Sequence, residues 1–199
     1  MKTIITIGRE YGSGGKEIGG KLAAALGIPC YDKELLTEAA RESGISEDMF
    51  LSNDEKPTGS FLYSLVMGGY GSENLPFNHK LFLAQFDAIR SIADRGACVI
   101  IGRCADYALE DYKNCLNVFI HAKMEFKVER AVKFYNVPRE KAQAVITKTD
   151  KARANYYSFY SGKKWGIAEN YHLTIDSSVI GIDKTVEIIK QAVEVLEKD

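Results

Sequence analysis

The sequence has no run of apolar residues long enough to cross a bilayer, so no membrane-spanning helix is expected. It has no excess of either charge. Twenty-six Lys and Arg stand against 27 Asp and Glu, for a net charge of −1 at pH 7. That balance argues against a surface built for a nucleic-acid polymer or an anionic membrane, so any basic site must be local. The four cysteines, Cys30, Cys98, Cys104 and Cys115, show no metal-ligand spacing and are expected to be free, buried thiols in a reducing cytoplasm. Histidine is scarce: His79, His121 and His172 lie far apart, with neither a metal cluster nor a Ser-His-Asp order. His121 and His172 are read at strand ends, where they could touch a site. Internal repeats and low-complexity tracts are absent, and no basic, apolar and small-residue leader precedes the first strand, which supports a cytoplasmic expectation. What is there is ordinary globular composition, 46% hydrophobic and 27% charged over 199 residues. This suffices for one α/β domain, or a domain with a small lid.

The chain is organised around Ile4 to Gly19, which reads as a buried strand, a turn with Gly12, Ser13, Gly14 and Gly15, and a helix running on to Leu26. Glycines let a backbone approach a ligand closely, and a helix start offers unpaired N–H groups and a positive dipole end. Lys16 adds a mobile charge beside that nest. The strict pattern G-x-x-x-x-G-K-[ST] is not met. With Gly15-Lys16 taken as its "GK", Glu10 stands where the first glycine belongs and Glu17 where a magnesium-binding hydroxyl belongs. The phosphate reading is preferred to a glycine turn that binds nothing.

A second strand is expected over Ile28–Tyr31, with Asp32 at its carboxyl end, where it either faces a ligand or caps the next helix. A helix over Leu35–Phe50 is broken near Ser43-Gly44. Leu51–Pro76 is turn-rich and glycine-rich, with an amphipathic stretch at Phe61–Val66, and reads as a substrate-covering insertion or a dimer contact. Asn78–Arg95 is helical, and Ala97–Gly102 is a third strand without alternation, buried on both faces. Arg103 and Asp106 follow at its carboxyl end, as site residues or as a surface ion pair. Leu116–Ala122 is the fourth strand, followed by a helix from Met124 to Tyr135. Pro138 starts another helix carrying Lys148, Asp150, Lys151 and Arg153, and the aromatic and basic residues from Tyr156 to Gly166 suit a lid over phosphates and a base. Tyr171–Asp176 is the fifth strand, and a last helix runs from Asp183, its expected N-cap, to Leu196. Strands alternating with helices give a three-layer α/β/α domain around a five-stranded parallel sheet, with the site at the carboxyl edge.

Five passages carry a resemblance that covers essentially the whole chain: Arg9–Glu17, Tyr31-Asp32-Lys33, Ile101–Asp106, Tyr156-Tyr157 with Gly162–Trp165, and Asn170–His172 with Asp176-Ser177-Ser178. On these the sequence resembles the cytidylate-kinase-like family of P-loop nucleoside monophosphate kinases. The resemblance implies a P-loop NTPase fold over residues 1–199, with residues 35–80 as a substrate-covering helical insertion and 138–166 as a lid-like region. In cytidylate kinases the phosphate loop ends in a lysine, a glycine and a hydroxyl residue. Counted back from Asp32, these fall on Gly15, Lys16 and Glu17. Either Lys16 serves from one position over or the lysine function comes from elsewhere, with Arg9 a candidate. Glu17 could approach Mg²⁺ through water, or repel phosphate.

The resemblance further implies donor contacts from Arg9, Gly12, Ser13, Gly14, Gly15, Lys16, Glu17, Asp176 and Ser177. Acceptor contacts are implied for Asp32, Arg103, Asp106, Lys148, Asp150 and Lys151, and catalytic roles for Lys16, Arg103 and Arg153. Cys104 replaces the aspartate that cytidylate kinases carry after Gly-Arg. The expected activity is ATP- and Mg²⁺-dependent phosphoryl transfer to a small acceptor, with a pyrimidine nucleoside monophosphate the first expectation. The alternatives are a kinase of another small metabolite and a non-catalytic nucleotide-binding module with a degenerate loop. Expected partners are small nucleotides and a possible second copy of the chain, with no nucleic-acid polymer and no membrane.

Overall fold

The computed structural model describes residues 2–53 and 77–198. The expected insertion helix at Phe61–Val66 lies outside the described residues. Five strands, β1 (Ile4–Arg9), β2 (Cys30–Tyr31), β3 (Val99–Ile101), β4 (Cys115–His121) and β5 (Leu173–Asp176), form one sheet in the order β2-β3-β1-β4-β5. All pairings are parallel, so every strand's carboxyl end reaches the same edge. β1 lies in the middle, with Ile7 in register with Ile101 of β3 and Val118 of β4.

The absence of alternation in β1 and β3 has its reason in two apolar layers. Ile5, Ile7, Val99 and Ile101 pack on α1 (Gly15–Leu26) and on Val186, Ile189 and Val193 of the last helix. Ile4, Cys98 and Ile100 face the other way, against Leu35, Leu36, Leu81 and Ile89. Those residues belong to α2 (Glu34–Ser43) and α4 (Phe77–Asp94), with α3 (Glu47–Asn53) between them in sequence and α5 (Ala105–Ala108) after β3. Helices thus cover both faces of a parallel sheet, the three-layer α/β/α P-loop arrangement. The remaining helices are α6 (Met124–Tyr135), α7 (Arg139–Ser161), α8 (Ser177–Ile180) and α9 (Ile182–Leu196).

Three local expectations are corrected. β2 is shorter than Ile28–Tyr31 because Pro29 has no N–H to donate, although its carbonyl still accepts from Val99 N at 2.9 Å. Asp183 is not the N-cap of α9. That position is Gly181, at φ 85° and ψ 157°, a conformation open almost only to glycine, and Asp183 sits in the first turn, 2.7 Å from Lys21 Nζ. His172 precedes β5 at the amino-terminal edge, where its Nδ1 accepts from Asn117 N at 3.0 Å, so it does not reach the site. The cysteines are free, as expected, with Cys98, Cys104 and Cys115 buried and Cys30 partly so. Burial pushes the Cys98 and Cys115 thiols up to about 12.

At the amino-terminal edge Glu197 ties the end of α9 to the start of β1. Its carboxylate accepts from Lys2 N at 2.6 Å, Thr3 N at 2.9 Å and Thr3 Oγ1 at 2.8 Å. The Lys2 amide first, then the Thr3 hydroxyl and amide, hold its pKa down to about 2. A depressed carboxyl contributes stability above its ordinary pKa and loses it as pH falls through the folded value. Glu197→Gln is therefore expected to melt below the unmodified chain at pH 7, with the gap closing between about 4.5 and about 2 in thermal melts.

Candidate active site

The glycine turn joins β1 to α1. Gly12 (φ 79°) and Gly14 (φ 83°) adopt the left-handed conformation, and Gly14 is the N-cap of α1. At Gly12, which faces backbone, space demands glycine as strictly as conformation does. A Cβ on Gly12 would stand 2.7 Å from the Lys127 carbonyl oxygen, and one on Gly14 would run into Ile182 Cδ1. The N–H groups of Gly15, Lys16 and Glu17, in the first turn of α1, have no acceptor within the helix. Together with the helix dipole they form an anion-binding end.

Residues far apart in sequence brace this turn. Ser13 Oγ donates to the Glu10 carbonyl at 2.8 Å, and Ser177 Oγ, fully buried, donates to the Ser13 carbonyl at 2.6 Å, with the His121 carbonyl oxygen 3.1 Å away as the alternative acceptor. Tyr11 N donates to Asp150 Oδ1 at 2.6 Å. Lys127 Nζ, almost fully buried, lies 2.9 Å from Glu10 Oε2 and 3.0 Å from Asp150 Oδ2. Burial opposes the Lys127 charge, but Glu10 and Asp150 outweigh it and raise the Lys127 pKa. Burial also raises the Asp150 carboxyl, against the Tyr11 amide and Lys127.

Across from the turn stands Asp32, buried at the end of β2. Lys16 Nζ lies 2.7 Å from its Oδ2 and Arg103 Nη1 3.3 Å from its Oδ1. Burial works against the Asp32 charge, yet the Lys16 hydrogen bond and the Arg103 and Arg9 charges hold its pKa below the ordinary range. The side chain thus serves these cations and makes no cap to α2, whose N-cap is Lys33. Arg103 also donates to the Ile101 carbonyl at 3.2 Å. Gly102, Arg103 and Cys104 are consecutive residues at positive φ, 75°, 55° and 55°. For the two non-glycine residues this is a strained turn of the kind that clusters at functional sites. It aims Arg103 inward: with a 1% exposed side chain, it is no surface ion pair with Asp106. Asp106 instead accepts from Tyr157 OH at 2.7 Å, and burial raises its carboxyl despite that bond.

A cavity of about 430 Å³ lies between these walls, bounded by Arg9, Gly12, Gly14, Gly15, Lys16, Asp32, Arg103 and Arg153. Arg153 reaches it from α7 and donates to the Arg9 carbonyl at 3.3 Å. A second space of only about 20 Å³ adjoins it, bounded by Arg103, Cys104, Asp106, Tyr157 and Trp165. That is room for about one water molecule. Tyr156 and Tyr157 are buried with Phe82 and Cys104, and Phe82 stacks on Tyr160 with ring centroids 3.7 Å apart. A larger depression of about 890 Å³ opens at the opposite edge, around Lys2, Cys115 and Glu197, away from the glycine turn.

Arg9, Gly12, Gly14, Gly15, Lys16, Asp32, Arg103 and Arg153 are thus brought together, with Asp106 beside them. Ser13, Asp150 and Ser177 brace the turn from behind. Asp176 caps α8, its Oδ1 accepting from Ser178 N at 2.9 Å. Lys148 and Lys151 lie exposed on α7, off the cavity walls. Glu17 is engaged by Arg130 Nη2 at 2.6 Å and by Lys21 Nζ at 3.1 Å, and Arg130 first lowers its pKa. Sequence reasoning left Glu10, Lys127 and Arg130 without a role at the turn. The signal was the i, i+3 spacing of Lys127 and Arg130 on the helix following β4, which puts both on one face at the carboxyl edge.

Comparisons with known proteins bear on the family and the fold. A cytidylate kinase from Methanopyrus kandleri is 24% identical, over 98% of this chain and 95% of its own. The crystal structure of an uncharacterized protein from Eubacterium ventriosum is 29% identical, with a TM-score of 0.75 over 97% of this chain and 99% of that one. A shikimate kinase from Acinetobacter baumannii, solved with shikimate, shares the fold at 16% identity and a TM-score of 0.55, over 100% and 96% of the two chains. The model of the cytidylate kinase-like family matches residues 4–179, and the chain belongs to that family of nucleoside monophosphate kinase-like phosphotransferases.

Proposed function

We propose that the protein transfers the γ-phosphoryl group of ATP to a pyrimidine nucleoside monophosphate, CMP or dCMP before others. The observation that carries this reading is the convergence of Arg9, Lys16, Lys33, Arg103 and Arg153 on one cavity under a glycine turn, in a chain of net charge −1. So local a concentration of cations suits two anionic substrates meeting end to end. Phosphoryl transfer needs no covalent nucleophile from the protein. It needs in-line positioning, fixed positive charge and exclusion of water. The first turn of α1 holds the donor phosphates. Arg103 and Arg153 hold the acceptor phosphate and the transferred group, since a guanidinium matches phosphate with two parallel donors. Asp32 keeps Arg103 and Lys16 in place.

The small space beside Asp106, Tyr157 and Trp165 is the acceptor's base side, where a carboxylate faces the exocyclic amine and aromatic rings face the pyrimidine. Opening it requires side-chain movement. A lid role for residues 138–166 is part of the same proposal, and the covering role expected of 35–80 falls largely on 54–76, outside the described residues. Magnesium is usual in such kinases, but the residues here do not build a protein-held site for it. Glu17 is committed to Arg130 and Lys21, and no group of three metal-ligating side chains occurs among the described residues. The metal belongs to the nucleotide, as part of MgATP, and no step above depends on it.

The commitment of Glu17, a negative charge in the phosphate-binding turn, favours one rival, a nucleotide-binding module without turnover. ADP release with CMP, dCMP, UMP, AMP, GMP and a set of non-phosphorylated hydroxyl acceptors separates the readings. Turnover confined to pyrimidine monophosphates is expected. Turnover only with a hydroxyl acceptor, or ATP binding without any turnover, would overturn the proposal.

A further inference from the structure

Arg9 ends β1 and Gly15 opens α1. In the pattern G-x-x-x-x-G-K the first residue is glycine and the seventh is lysine. With Gly14 as the second glycine, this chain holds Arg9 in the first place and Gly15 in the seventh, so the cation and the glycine have exchanged positions. The structure gives the exchange a steric basis. A Cβ built on Gly15 collides with Arg9 Cβ, lies 3.0 Å from Arg9 Cγ and 3.6 Å from Ile120 Cβ. One space serves both side chains, and only one of them can fill it. Gly15 does not have the positive φ that marks Gly12 and Gly14. Its backbone conformation is open to any residue, so its being glycine answers a demand of space.

Lys16, one residue on, also borders the cavity, but its Nζ is held 2.7 Å from Asp32 and its side chain is 62% exposed. Arg9 lines the cavity floor, and its charge reaches Asp32. We infer that the Arg9 guanidinium, rising from the end of β1, is the phosphate-facing cation of the turn, and that Gly15 is glycine to make room for it. Lys16 is a positioning residue for Asp32. This rests on the phosphate-binding reading above. It implies that the loop grips the donor with a planar, two-pronged group in place of a mobile ammonium.

The test is MgATP affinity by titration calorimetry for the unmodified chain and for Arg9→Ala, Arg9→Lys, Lys16→Ala, Gly15→Lys and Arg9→Gly/Gly15→Lys. Arg9→Ala is expected to weaken binding at least tenfold, with Lys16→Ala weakening it less. Arg9→Lys keeps a charge in the same place and is expected to fall between, which also serves should Arg9→Ala fold poorly. Gly15→Lys alone is expected to lower the melting temperature, because two side chains then contest one space. The double exchange is expected to recover both the melting temperature and most of the lost affinity. Lys16→Ala losing more than Arg9→Ala, or a double exchange worse than the sum of its parts, would overturn the inference. An unmodified chain that binds no ATP would overturn it together with the proposed function. A chain that binds ATP with these variant effects but phosphorylates no acceptor would overturn the proposed function alone.

Discussion

Arg103→Ala is expected to lower kcat/KM for the monophosphate acceptor by about 10²–10³-fold, the scale of losing one preorganised donor to transition-state charge. Both kcat and KM are expected to move, because Arg103 would touch the acceptor in the ground state and the transferred group in the transition state. Arg103→Lys keeps the charge but loses the fork, and is expected to recover only part of the rate. The fold is expected to survive. Asp32 keeps Lys16 at 2.7 Å, so its charge is not stranded, and the cost in stability stays near 1–3 kcal/mol, roughly that of one lost charged hydrogen bond. Steady-state kinetics with circular dichroism on the same samples checks both parts. A fully active Arg103→Ala protein would remove this residue from the site.

The second large effect is on stability. Lys127→Met removes the only cation that the structure sets between Glu10 and Asp150 among the described residues. Two carboxylates, with side chains 25% and 15% exposed, would then face each other behind the turn. Breaking a buried pair from one side costs about 3–5 kcal/mol. For a chain of this size each kcal/mol is worth about 2–4 °C, so the melting temperature should fall by about 6–20 °C. The sign of the pH dependence follows from Asp150, whose pKa burial already raises. Losing Lys127 raises it further. A carboxyl with a raised folded pKa costs stability while ionised and regains it as pH falls. The melting gap between variant and unmodified chain is therefore expected to be widest at neutral pH and to narrow on acidification. Thermal melts at several pH values test this, and a gap that widened with acid would contradict it.

Much of this molecule could be read from the chain. The β1–turn–α1 passage, the unalternating strands around Ile100 and Val118, and the apolar stripe of α9 each reflect a strong local period, and tertiary packing confirmed them. The broad position of the site also follows locally, because Asp32 and Arg103 stand at strand ends that a parallel sheet must gather at one edge. What escaped was pairing. A sequence shows Asp150 and Lys148 as neighbours on a charged helix, yet the roughly half turn between them sends Asp150 to the Tyr11 amide and leaves Lys148 exposed. Nor does the sequence show that Tyr157 is buried with its hydroxyl on Asp106. The spatial sharing between Arg9 and Gly15 has no sequence period at all. It arises because the turn brings the backbone of Gly15 against the Arg9 side chain.

The most direct test of the central claim is to follow γ-labelled ATP with purified protein and CMP or dCMP, separating products by chromatography. The label is expected to appear in the pyrimidine nucleoside diphosphate, at a rate that depends on acceptor concentration and drops with Arg103→Ala. Label found only in inorganic phosphate, or retained in ATP at every acceptor concentration, would contradict it.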